Sequence, residues 1–418
     1  MTHAGTRSPI YYGWVIVGLG MMMQAMASGG TNALYGVFAT PFAESFGSSR
    51  ASVMLGTASV AFCASGLLSP FAGIWMRRYS VRRLALLGGS ALCIGYTLAS
   101  FASSLWHISL IYGICWAMGN VLYGTLAVNS AVSAWFVRQR GKALGIVSLG
   151  ISIGTIALPP LISWVIVEFG WPSAKRLLAI MVALTLPLVF RWFKDRPEDI
   201  CLLPDGDTQA QADANQAPVQ DWTVREVLRS RHFWLIAACI GICFASFNGV
   251  MINLVPYAID NGSSPQTAAL LLSIAAAFGM IGKVIAGIVS DRMGATLALS
   301  IPLCSIALAC LMLLGNADYT RMAAASVFVG LSSGGSIPVW GALIGRYFGR
   351  DSFSTVMGLM NPMLVPLLVV CAPLLAAVKE TTGSYDAGLL CVSALALFAL
   401  LLASKLKSEE TPIRNVSG

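Results

Sequence analysis

The stretch QTAALLLSIAAAFGMIGKVIAGIVSDRMG, residues 266–294, decides how this chain is read. From Ala268 to Val289 it is apolar or small at every position except Lys283, and a run of about 20 such residues is long enough to cross a bilayer as a helix. Lys283 lies eight residues before Asp291. At a rise of 1.5 Å per residue that is about 12 Å from the helix end, roughly twice what a lysine covers by snorkelling. A cation at such depth costs several kcal/mol and marks a functional site by default. No Asp or Glu shares its depth, so the expected partner is an anion. On this reading Lys283 is the one charge that cannot easily reach a membrane surface.

The rest of the chain has the same character. Its 418 residues are 57% hydrophobic and 11% charged, with mean hydropathy +0.76, and apolar runs of span length recur throughout. Twelve spans are expected, at 12–38, 51–75, 83–103, 106–136, 143–167, 174–193, 233–258, 267–290, 295–315, 322–347, 354–378 and 386–404. The first run is too long for a cleaved leader and reads as a retained helix. An even count puts both termini on one side. If that side is the cytoplasm, Arg50, Lys175, Arg176, Arg321 and Lys379 face outward, Lys283 lies within the membrane, and the rest of the 26 Lys and Arg face inward, as the positive-inside rule expects. That topology accounts for the net charge of +8 without nucleic acid. All 18 Asp and Glu fall in loops or at span ends. Nine of the ten cysteines lie in apolar runs and Cys201 in the central loop, so no disulfide framework, metal site or cofactor is expected.

Residues 205–221, DGDTQAQADANQAPVQD, are polar and free of large apolar side chains, which reads as a flexible linker. The expected organisation is a six-helix bundle at 1–193, a cytoplasmic linker at 194–231, a second bundle at 232–405 and a tail at 406–418. The halves repeat. Pro41-Phe42-Ala43 recurs as Pro256-Tyr257-Ala258 at an offset of 215, Gly73 as Gly287 at 214, and Gly145 as Gly358 at 213. Parallel six-helix repeats with a substrate site between them are a known plan for secondary transporters.

The run Gly287-x-x-x-Asp291-Arg292-x-Gly294 resembles the loop signature of the major facilitator superfamily, which implies an all-α polytopic membrane fold of twelve helices. That resemblance makes Gly287, Asp291, Arg292 and Gly294 a gating loop in which the Asp helps clamp the inner gate. The matching first-half loop departs from it, with Arg77 where the family usually has Asp and Ser80 where it has Gly. Tyr11-Tyr12-Gly13-Trp14, Trp135-Phe136 through Gly145, Phe169-Gly170-Trp171, Asp195-Arg196-Pro197 and Leu254-Val255-Pro256-Tyr257 are similar to the bacterial monocarboxylate-porter branch, relatives of the oxalate–formate exchanger. In that branch a cation stands four residues before the loop's first Gly, as Lys283 does before Gly287. Arg is more usual there; Lys offers a compact point charge instead of a planar fork. Dicarboxylate-handling relatives add a second cation in span eleven, where this chain has Asn361 and no cation. One buried cation favours one carboxylate.

The expected substrate-binding set is Lys283 with Asn120 and Tyr123, which fall at i and i+3 on one face of span four and can donate to a carboxylate or hydroxyl. Asn residues in membranes also commonly bond helix to helix. Gln24, Asn32, Tyr35, Asn129, Asn248, Asn253 and Trp340 are weaker candidates. Lys283 and Asp260 are candidates for proton coupling; Asp260 also reads as an ordinary residue in an outer turn. The expected function is secondary transport of a monocarboxylate-like organic anion by proton symport or anion exchange. The expected setting is the lipid bilayer of a bacterial plasma membrane, as a monomer. An exporter of drugs or amphiphiles is the alternative, although cationic drugs generally call for embedded carboxylates. A sensor would bring a soluble signalling domain. An enzyme would need a nucleophile–base pair or metal cluster, and His3, His107 and His232 all lie at or outside span ends.

Overall fold

The computed structural model describes residues 11–206, 222–315 and 317–408. Among them every regular element is helical. Twelve long helices are labelled in chain order: α1 (13–46), α2 (50–78), α3 (Val81–Ala99), α4 (Leu105–Trp135), α5 (140–169), α6 (171–192), α7 (Arg231–Asp260), α8 (Pro265–Met293), α9 (Ala295–Met312), α10 (Tyr319–Phe348), α11 (Phe353–Thr382) and α12 (Asp386–Ser408). They fall where the twelve apolar runs place them. Nine continuous helices among the described residues are long and apolar enough to span a bilayer, and one of these is a double length. It bends at Gly170, whose φ of +76° only glycine adopts without strain, and so supplies both α5 and α6. Residues 207–221 of the expected linker and the tail beyond Ser408 lie outside the described residues.

Two features were not legible in the apolar runs. Single π turns interrupt α1 at Ala25–Gly29, α2 at Leu55–Ser59 and α4 at Tyr112–Trp116; such bulges often sit at functional positions. Helix α4 also breaks at Tyr123-Gly124, where Gly124 has φ −89° and ψ −141°. Its approach to the Asn120 carbonyl leaves no room for a Cβ.

The first six helices meet the last six along two seams. In one, α5 crosses α8, with Gly141 and Gly145 against the backbone of Gly287 and Lys283; in the other, α2 crosses α11, with Gly73 and Gly358 against Ser354 and Ser69. Each glycine permits a backbone approach that any side chain would block, the usual means of close packing where lipid supplies no hydrophobic drive. These are the glycines of the internal repeat: Gly73 answers to Gly287, and Gly145 to Gly358. From the linker side, the first runs from Gly141 and Gly287 to Ser152 and Lys283, and the second from Gly73 and Ser354 to Gly66 and Val365. The strip of linker at 194–206 adds cross-links there: Arg196 pairs with Asp351 at 3.1 Å and Glu198 with Arg350 at 2.6 Å.

Candidate functional site

Lys283 sits at the closest crossing of α8 and α5, 6% exposed, because Gly145 lets the two backbones touch at its carbonyl. Its ammonium reaches across the seam, donating to the Ser148 carbonyl at 3.0 Å and to the Ser152 hydroxyl at 2.5 Å. Both partners are neutral, and among the described residues no carboxylate pairs with it. A buried cation satisfied only by neutral oxygens keeps a favourable interaction in reserve for an anion, since a carboxylate adds the direct attraction of opposite charges, which burial strengthens. The same bonds tie the halves together. A carboxylate arriving at Nζ would compete with that tie.

Asn120 and Tyr123 are not brought to one face. Asn120 accepts from the Ser28 hydroxyl at 3.1 Å, and Ser28 also lies 3.2 Å from the Thr125 hydroxyl, a polar cluster joining α1 to α4. Tyr123, fully buried, turns the other way and shares a 2.5 Å hydrogen bond with Thr185 of α6. Different neighbours draw the two side chains apart, α1 taking Asn120 and α6 taking Tyr123. Of the weaker candidates, Gln24 donates to Asn129 at 3.1 Å in a fully buried α1–α4 pair. Asn253 donates to the Gly249 and Ala372 carbonyls, and the Trp340 indole donates to the Met360 sulfur at 3.2 Å.

Asp260 closes α7 on the side opposite the linker and pairs with Lys379 at 3.0 Å, the two side chains 44% and 31% exposed. Lys379 also lies over the Tyr385 ring. Lys283 is 18 residues along α8 from Pro265, so about 27 Å from that end, and Asp260 is no near neighbour of it.

Lys283 is not the only buried cation, contrary to the expectation from the runs. Lys175, expected to face outward, is 1% exposed. Its ammonium donates to the Tyr112 hydroxyl at 2.6 Å and lies 3.4 Å from the Phe38 ring centroid, with Phe42, Tyr96 and Tyr112 within 5.5 Å. Its place four residues into α6 suggested the surface, but its face of the helix points into the bundle. Arg176, one residue on, points elsewhere, over Phe101 and toward Ser100. Arg140 is buried as well at the start of α5, donating to the Phe136 and Ser133 carbonyls.

The loop expected to gate lies at the linker-side end of the α5–α8 seam. Asp291 accepts from the Gly141 and Lys142 amides, both at 2.7 Å, placing a carboxylate at the positive N-terminus of α5. Gly287 lies flat on the Gly141 carbonyl, Gly294 takes φ +96° beside the Arg346 guanidinium, and Arg292 is exposed. Ser148 and Ser152, the partners of Lys283, went unnoticed in the sequence; the only signal was their i, i+4 spacing.

Four likenesses to known families and proteins accord with this arrangement. The family model described as Major Facilitator Superfamily matches residues 20–373. Monocarboxylate transporter 13 of Bos taurus is 26% identical over 389 residues, covering 92% of this chain and 87% of its own. Among solved structures, the human organic anion transporter MFSD10 superposes with a TM-score of 0.71 at 15% identity, covering 95% of this chain and all of that one. The E. coli fucose:proton symporter FucP superposes at 0.70 with 13% identity, covering 96% and 98%. At such identities the structures share the fold.

Proposed function

The chain belongs to the Major Facilitator Superfamily, and we propose that this membrane transporter carries a small monocarboxylate-like organic anion whose carboxylate binds Lys283. Transport, not catalysis, is the activity of the family. The observation that carries the substrate reading is the Lys283 ammonium, buried at the seam between halves and held only by neutral oxygens. The likeness to a protein named as a monocarboxylate transporter supports it. Arg140 and Lys175 do not compete for the role: Arg140 already has the Asp205 and Asp291 carboxylates near it at the start of α5, and four aromatic rings enclose Lys175.

In this reading the bundles at 1–193 and 232–405, joined by 194–231, rock about the two glycine seams. The empty carrier holds Lys283 on Ser148 and Ser152. An incoming carboxylate takes up the ammonium and thereby weakens the tie, so that binding favours opening on the linker side. Asn120, with Ser28 and Thr125, offers hydrogen bonds to the remainder of the substrate, while Tyr123 serves packing between α4 and α6. Coupling is by proton symport or anion exchange, with Lys283 as the coupling group and Asp260 an outer ion-pair member. The carrier works as a monomer in a bacterial plasma membrane, with both termini cytoplasmic.

The test is uptake of labelled monocarboxylates into proteoliposomes, with and without an inward proton gradient. Saturable uptake that disappears in Lys283→Ala is the expected result; uptake that survives in the variant overturns the assignment and favours an exporter of amphiphiles. Gradient dependence separates symport from exchange.

A further inference from the structure

The two seams are built alike until the residue that should close the second one. On the α8 side, Gly287 lies against the Gly141 carbonyl, and four residues later Asp291 accepts from the Gly141 and Lys142 amides. On the α2 side, Gly73 lies against the Ser354 carbonyl in the same manner. Position 77, four residues later, therefore faces the first turn of α11 as Asp291 faces that of α5. The offsets agree: 214 from Gly73 to Gly287, and 213 from Gly141 to Ser354. Yet residue 77 is Arg, which has no acceptor to offer amide groups and puts a cation beside the positive end of a helix.

The linker fills the vacancy. Arg77 Nη1 donates to the Trp222 carbonyl at 3.0 Å, and the Trp222 amide donates to the Ser352 hydroxyl, also at 3.0 Å. Ser352 precedes α11 and makes no side-chain cap of its own helix. The Trp222 indole packs edge-on against the buried Phe348 ring at the end of α10, 5.3 Å between centroids. One residue later Thr223 and Glu226 form a reciprocal capping box that starts the short helix Val224–Arg229. Trp222 is thus fixed from both sides, by an aromatic contact to α10 and by a helix start that follows it. The Arg77 guanidinium is held by a linker carbonyl beside the α11 terminus.

We propose that the Arg77–Trp222–Ser352 bridge replaces the missing gate carboxylate on the α2–α11 seam, with Trp222 as its positioning residue. The gate on that side is then closed by the linker, whereas the α5–α8 side is closed by Asp291. The linker becomes a working part of alternating access, and its hold on Arg77 and Ser352 must be released each time the linker side opens.

Hydrogen–deuterium exchange on the full-length protein in detergent tests this without any substrate, so its outcome is separate from that of the anion assignment. Arg77→Ala and Trp222→Ala should each speed exchange in the first turn of α11, residues 353–356, by about fivefold, the scale of one lost hydrogen bond at the bridge that holds it. Residues 140–146 of α5 should not change. Arg77→Asp removes the same bridge but restores a carboxylate facing α11, so its first turn should exchange as in the native protein, and it should rescue Trp222→Ala. Ser352→Ala deletes only the acceptor of the Trp222 amide and gives the same local rise should a larger change disturb folding. Native-like exchange in Arg77→Ala and Ser352→Ala, or equally fast exchange in Arg77→Asp and Arg77→Ala, overturns the proposal.

Discussion

Asn361 donates a 2.7 Å hydrogen bond to the Ser69 hydroxyl, and the pair is the internal repeat's counterpart of Ser148 and Lys283, at offsets of 213 and 214. Each seam therefore carries a side-chain tie at this repeat position. In the α5–α8 seam the tie is charged and in the α2–α11 seam it is neutral. On the proposed function, a substrate between them would meet one cation and one amide.

Introducing a cation at the neutral tie should change selectivity. Asn361→Lys is expected to admit a dicarboxylate and to depress monocarboxylate uptake at least tenfold, measured by competition for uptake in proteoliposomes. Unchanged selectivity would show that the α2–α11 seam does not contact substrate.

Lys283 uses the backbone of Ser148 but the side chain of Ser152. Ser152→Ala should lower stability by about 1 kcal/mol, the range measured for hydrogen bonds between membrane helices, read as a drop in melting temperature in detergent. Ser148→Ala keeps the carbonyl and should cost less than half as much. Equal losses would mean that the tie is not made as described.

Lys175 is buried among aromatic rings with no carboxylate partner among the described residues. Replacing a buried charge by an apolar side chain of similar volume is often neutral or stabilising, whereas truncation leaves a cavity costing about 2–5 kcal/mol. Lys175→Met is expected to unfold within a few degrees of the native protein and Lys175→Ala well below it. A Met variant as unstable as Ala would assign the ring contacts a larger, charge-dependent share.

Asp291 caps α5 through two amides. An amide side chain accepts less strongly than a carboxylate and lacks its charge at the helix terminus. Asp291→Asn should speed hydrogen exchange at Gly141 and Lys142 by about tenfold, since about 1.4 kcal/mol corresponds to one decade, and should leave residues 353–356 as they were.

The Asp260–Lys379 pair is partly exposed, and such pairs contribute about 0–1 kcal/mol. Asp260→Asn is expected to leave both stability and the pH profile of uptake unchanged. A profile displaced by a pH unit or more would make Asp260 a coupling residue after all.

Much of the architecture follows from local properties of the chain. Span count and position depend on how many consecutive apolar residues a bilayer requires, and the twelve runs predicted the twelve helices, including the turn at Gly170. The seam glycines were readable as pairs because the repeat places Gly73 opposite Gly287 and Gly145 opposite Gly358. The place of Lys283 within its helix was likewise readable, as distance along a helix is proportional to residue number. Tertiary packing decided what no count along the chain contains: the direction each side chain takes. Lys175 and Arg176 are adjacent, yet one enters the bundle and the other leaves it, because successive helix positions point about 100° apart and only the neighbouring helices define the inside. Tyr123 parts from Asn120 because α6 offers it Thr185 while α1 offers Asn120 the Ser28 hydroxyl. Asp260 finds Lys379, and Arg77 finds Trp222, across more than a hundred residues, contacts set by how α7 meets α11 and how the linker crosses the gate.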